Sequence, residues 1–163
     1  MKKILLWATS LLIVLISGIS PVKANEFDLR TLQMRTVLLR YDSPMVGLEE
    51  ELIAIAEENN LDWTLMAAIA GTESSFGKRM PYQCLNPYGW GIYGDNKLCY
   101  DSFADAAKAV ATGLSTRYNT TSLETIARTY NTVSTDGWLS HTRFFMNKIK
   151  SAGVPVHSLP ITL

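Results

Sequence analysis

The sequence predicts a mainly α fold with one short loop or β-hairpin segment, and three observations carry that expectation. Apolar residues recur at helical spacing in several separate stretches, and residues that cap helices stand at the starts of most of those stretches. A single segment breaks the pattern with prolines, glycines and aromatic rings. The chain has 163 residues, 47% of them hydrophobic and 18% charged, which suits one domain with a real core. No internal repeat, low-complexity tract or long linker interrupts it.

The first 24 residues stand apart. Lys2 and Lys3 are followed by the apolar stretch "ILLWATSLLIVLISGIS" and then by "PVKA", the pattern of an export signal cut after Ala24. An uncleaved anchor is the alternative, but the stretch is shorter than the ~20 residues that span a bilayer comfortably, and it contains Thr9, Ser10, Ser17 and Gly18. No cysteine follows it to take an acyl chain. The expected mature protein is soluble and lies outside the cytoplasm, either secreted or in the periplasm or cell envelope, with no stable membrane anchor. Cleavage removes three of the 15 basic residues and no acid, leaving 12 against 15. That slightly acidic balance argues against nucleic acid, whose binding rests on clustered Lys and Arg.

Residues 25–42, with Leu29, Leu32, Val37 and Leu38, read as an N-terminal arm or helix, with helix the favoured form. The main domain is expected over 43–153, with a tail at 154–163. Ser43 and Pro44 read as N-cap and first turn of a helix whose apolar face is Met45, Leu48, Leu52, Ile55 and Ala56, stopped by Asn59 and Asn60. Its glutamates are expected mostly on the wet side. Asp62 caps a second helix over 63–74, where Ala67, Ala68, Ala70 and Gly71 leave room for close neighbours. Ser102 with Asp105 opens a third, carrying Phe103, Ala107, Val110 and Leu114 on one face. Thr121 and Glu124 open a short fourth through Leu123, Ile126 and Ala127. The last is expected over 138–152, with Asp136 as cap, Phe145 and Ile149 toward the core, and Gly153 and Pro155 as the stop.

Between the second and third helices lies "KRMPYQCLNPYGWGIYGDNKLCYD". Its prolines, Gly89, Gly91 and Gly94 predict a loop or hairpin. Tyr82, Tyr88, Trp90, Tyr93 and Tyr100 are rings with polar edges, the kind of surface on which sugar C–H faces stack; core packing is the alternative role for each. In an exported chain the two cysteines, Cys84 and Cys99, most simply pair and pin this loop. His141 and His157 do not stand at metal-ligand spacing with them, and nothing offers a phosphate-cradling glycine loop, so no metal and no cofactor is implied.

The residue that draws chemistry is Glu73 in "LMAAIAGTESSFG". Ile69 and Ala70, four and three positions before it, place it on the apolar stripe of its helix, near the helix C-terminus. Burial and the negative end of the helix dipole both disfavour a carboxylate and raise its pKa, which is what a general acid requires. An idle glutamate on a frayed helix end is the competing reading.

"AIAGTESSFGK", preceded by "NNLDWTL" and followed by "NPYGWGIYG", resembles the lysozyme-like superfamily of peptidoglycan-cleaving enzymes, closest to bacterial glucosaminidase-type domains and lytic transglycosylase-like relatives. The features in order are Glu73 with Ser74, then Trp90, Gly91 and Ile92, then Ser102 with Phe103, then Tyr130 in "IARTYN"; together they cover about residues 40–150. The Gly-Leu-Met-Gln stretch common in the transglycosylase branch does not follow the Glu.

The resemblance implies a lysozyme-like α-helical domain with the loop lining its cleft, and a β-1,4 linkage between amino sugars as the bond cut. Glu73 would protonate the bridging oxygen, Tyr130 would position substrate or water from across the cleft, and Asn131 would assist. Ser74, Tyr88, Trp90, Ile92 and Tyr93 would meet the glycan. Asp95 or Asp101 could supply a second carboxylate, Asp105 being a capping acid, unless the N-acetyl group of the substrate serves instead. Two rival expectations are a non-catalytic glycan-binding module and a lysozyme-like component of a cell-envelope secretion apparatus.

Overall fold

The computed structural model of the protein describes residues 28–117 and 122–153. Among these residues it is mainly helical: α1 (Leu29–Arg40), α2 (Glu49–Glu58), α3 (Leu65–Ser74), α4 (Phe103–Arg117), α5 (Leu123–Tyr130) and α6 (Thr135–Lys150). Residues 1–24, where an export leader is expected, and Thr121, Pro155 and the 154–163 tail lie outside the described residues. None of the described helices is long and apolar enough to cross a membrane.

Helix α3 runs through the middle. Leu65, Met66, Ala67, Ala68, Ile69, Ala70, Gly71 and Ser74 are all buried, and the small Ala67, Ala68, Ala70 and Gly71 let α6 and α2 pack close. Thr72 Oγ1 meets Thr142 Oγ1 at 3.0 Å across the α3–α6 seam. A side chain at Gly71 would stand 2.7 Å from Cζ of Phe76, so that glycine is what admits the ring. Tyr41, Phe76 and Phe145 then cluster at centroid distances of 4.8 to 5.7 Å. Helix α1 packs on α6 and α2 and buries Met34, Val37 and Leu38 in the same core. It is a helix and not an extended arm, with Asp28 accepting from the Arg30 N–H as its N-cap.

Several expected boundaries move. Ser43 does not cap α2: its hydroxyl accepts from the Met45 N–H and donates to the Phe76 carbonyl, holding a turn. Gly47, at φ +97°, prevents residues 44–48 from joining a helix, so α2 begins at Glu49. Glu49 is also the exception on the glutamate face. It is 1% exposed, accepting from the Gly47 N–H at 2.9 Å and pairing with Arg35 of α1 at 3.2 Å. Asp62 caps the turn before α3 through Thr64, and Ser122, not Thr121, caps α5. Helix α6 begins at Thr135, which leaves Asp136 in its first turn. The Ser102–Asp105 capping box stands as expected, with the Asp105 N–H on Ser102 Oγ at 3.0 Å.

The end of α3 is abrupt. Ser75, Phe76 and Gly77 all have positive φ (53°, 58° and 83°), a conformation that costs a side-chain-bearing residue about 1–2 kcal/mol. Hydrogen bonds hold it: Phe76 N–H to the Ala70 carbonyl at 2.9 Å, Gly77 N–H to Ser74 Oγ at 2.9 Å, and Arg79 N–H to the Ser74 carbonyl at 2.8 Å. The turn therefore starts at Ser75, ahead of Gly77. It drives Phe76 into the core and sends the chain away so that the later loop returns over Glu73.

No strand forms among the described residues. Where a hairpin was one of the expectations, there is a single antiparallel bridge between Tyr93 and Asn96, because Gly91 (φ +69°) and Gly94 (φ +58°) turn the chain before a ladder can extend.

Candidate active site

The loop after α3 is closed by the Cys84–Cys99 disulfide, with Cα atoms 4.8 Å apart, the pairing expected from sequence. Such bridges persist in oxidising compartments outside the cytoplasm. Inside the ring, Asn86 replaces the missing β ladder. Its amide donates to the Trp90 and Leu98 carbonyls at 2.8 and 2.7 Å, and its Oδ1 accepts from the Tyr88 and Trp90 N–H groups. Ser74 anchors the loop from below, its hydroxyl 2.7 Å from the Pro87 carbonyl.

This loop and the end of α5 form the two walls of a cleft of about 370 Å³, with Glu73 in its lining. Tyr88, Trp90, Ile92 and Tyr93 line one wall, and Tyr130 and Asn131 the other. The sequence-expected group is thus brought together with three exceptions. Ser74 is buried, its hydroxyl spent on the Pro87 carbonyl and the Gly77 N–H, so it supports the cleft and cannot meet a ligand. Asp95 is exposed on the loop and does not line the cleft, while Asp101 borders a different groove beside Ser102 and Lys108. Tyr88 presents itself differently from expectation: its ring is fully buried, leaving Trp90, half-buried, and Tyr93, 78% exposed, as the rings available for stacking.

Glu73 sits on the last turn of α3, half-buried. Its Oε1 accepts from the indole N–H of Trp138 at 2.5 Å. Burial raises its pKa above the ordinary carboxyl value, and the indole bond, which favours the charged form, opposes that only in part. The site is thus built to keep a proton on Glu73 further toward neutral pH than a surface carboxyl would. Among the residues lining the cleft it is the sole carboxylate.

Tyr130 is held on three sides. Its hydroxyl donates to the Tyr88 carbonyl at 2.6 Å, and its ring stacks on Trp138 (5.0 Å, 25°) and tilts against Trp90 (5.7 Å, 47°). Burial and the neighbouring Glu73 push its phenol well above the usual tyrosine range, so it remains a neutral donor. On the far side of Trp90 there is no side chain on α4: a Cβ at Gly113 would stand 2.5 Å from the indole Cζ2.

Sequence reasoning missed Trp138 as a site residue. It lies 65 positions from Glu73 and reads locally as an apolar residue of a helix, so no short-range pattern could join the two. In the sequence Gly89 reads only as a turn former. At φ +63°, with a Cβ position 3.4 Å from Glu73 Oε2, it is also where loop backbone crosses the carboxyl. Among the described residues no group of three or more His, Cys, Asp or Glu is placed to hold a metal ion. In comparisons with protein-family models, curated proteins and solved structures, the chain shows no match.

Proposed function

We propose that the protein is an exported glycoside hydrolase that cleaves the β-1,4 linkage between amino sugars in peptidoglycan, with Glu73 as general acid. The observation that carries the reading is a half-buried carboxyl of raised pKa in the lining of a cleft with aromatic walls. The lysozyme-like pattern of Glu73-Ser74, Trp90-Gly91-Ile92, Ser102-Phe103 and Tyr130 supports the substrate class, and the disulfide suits a protein that works outside the cytoplasm.

In this reading Trp90 and Tyr93 stack on sugar faces and Asn131 meets polar groups of the glycan. Glu73 gives its proton to the bridging oxygen as the C1–O bond breaks. With Asp95 and Asp101 off the cleft, the nucleophile comes from the substrate: its N-acetyl carbonyl oxygen bonds to C1, giving a cyclic intermediate. The Glu73 carboxylate then takes a proton from water as that water opens the ring, which restores the acid.

The test is digestion of purified peptidoglycan by the protein, with products read by mass spectrometry. Soluble fragments with new reducing amino-sugar ends support the reading. Retention of the protein on intact peptidoglycan with no fragments would instead establish the glycan-binding alternative.

A further inference from the structure

The geometry points to Oε2 of Glu73 as the single oxygen that carries and delivers the proton, with Trp138 the positioning residue that fixes it there and the backbone of Gly89 marking the approach. The delivery step rests on the general-acid reading above, while the placement of the proton stands on the contacts alone.

An indole N–H can only donate. A protonated carboxyl has one O–H and one oxygen left to accept. Trp138 Nε1 donates to Oε1 at 2.5 Å, and the carbonyl oxygen of a protonated carboxyl is its stronger acceptor, so the acid form is favoured with Oε1 as the carbonyl oxygen and the proton on Oε2. The indole cannot readily turn aside: its ring is buried, and its face lies 5.0 Å from that of Tyr130, whose own hydroxyl is tied to the Tyr88 carbonyl. Carboxyl rotation, which would exchange the two oxygens, breaks the indole bond.

Oε2 lies against the position that a Gly89 side chain would occupy, at 3.4 Å, and Gly89 is exposed. An approaching glycosidic oxygen therefore meets Oε2 over bare backbone. A residue with a Cβ at this position would crowd the acid oxygen and would also have to adopt φ +63°.

The test uses the full chain with ¹⁵N-labelled tryptophan, the Trp138 indole resonance being assigned by its loss in Trp138→Phe. The indole N–H shift should move with pH in one step that coincides with titration of the Glu73 side-chain carbon, and should lose that step in Glu73→Gln. In Trp138→Phe the Glu73 midpoint should rise, because a donor to the carboxylate has gone; the high-pH limb of peptidoglycan cleavage should rise with it, and kcat should fall about tenfold with KM little changed. Gly89→Ala should lower kcat while leaving the indole step in place. An indole resonance that stays flat through the Glu73 titration overturns the inference, as does a Glu73 midpoint that does not rise in a folded Trp138→Phe protein. If the indole step is present but the wild type releases no glycan fragments, the proton placement stands and the hydrolase reading fails.

Discussion

The Tyr130 hydroxyl donates to the Tyr88 carbonyl at 2.6 Å, and this bond joins the end of α5 to the disulfide-closed loop across the cleft. A tyrosine expected to offer its hydroxyl to substrate or water has already committed that proton to the protein. What it can offer a ligand is a lone pair and a ring edge, and what it gives the site is a fixed distance between the walls.

Tyr130→Phe keeps the ring stack with Trp138 and removes the tie. The Tyr88 carbonyl then loses its partner, at a cost of about 1–2 kcal/mol in unfolding free energy. Peptidoglycan cleavage should fall about tenfold as the walls loosen. Denaturant unfolding and product release, measured on the same sample, check both halves. Unchanged stability would show that water replaces the bond at no cost.

Gly113→Ala tests the support behind Trp90. Alanine gains up to about 1 kcal/mol in helix propensity over glycine, while its methyl would stand 2.5 Å from Trp90 Cζ2. Overpacking of that kind costs about 1–3 kcal/mol, so stability changes little or falls. The ring must move, and affinity for peptidoglycan should fall with it. A folded variant with wild-type affinity would remove Trp90 from the binding surface.

Glu73 gives a pH dependence whose sign is fixed. Its folded pKa is raised by burial, so its contribution to stability is fully present below the ordinary carboxyl value of about 4.3 and is lost as pH rises through the folded value. Glu73→Gln, which stays neutral and can still accept from Trp138, should therefore melt higher than wild type near pH 7, with the gap closing as pH falls below about 4. Melting curves of the two proteins across that range are the check.

Removing the bridge with Cys84→Ser and Cys99→Ser releases the 15-residue span between them, which in the chain-entropy model costs about 3 kcal/mol. Because the span carries Trp90, Ile92 and Tyr93, cleavage should decline at temperatures where helical circular dichroism is still native. Coincident loss of both signals would show that the loop and the helices unfold together.

The helices were legible in the sequence where local signals are strong. Ser102 with Asp105 needed only a capping pair, and the apolar faces carried by Leu52, Ile55 and Ala56 of α2 and by Ala107, Val110 and Leu114 of α4 needed only periodicity. Glu73 was legible because a carboxyl on an apolar stripe contradicts its neighbours. Glu49 was not, because its burial depends on Arg35 of another helix and on the Gly47 N–H, neither of which a helix-face argument contains. The left-handed Ser75 and Phe76 were hidden as well, since neither residue type favours positive φ and the turn is imposed by the packing of Phe76. Trp138 was out of reach for the same reason of distance, as an ordinary helical tryptophan until α6 folds onto α3.

The central claim is that Glu73 is the acid in glycan-strand cleavage, and the most direct measurement is the release of new reducing sugar ends from purified peptidoglycan by wild type and by Glu73→Gln, side by side at one pH. The account predicts steady release by the wild type and a loss of at least about a thousandfold in the variant, which cannot donate a proton but keeps the fold. Equal rates from the two proteins would contradict it.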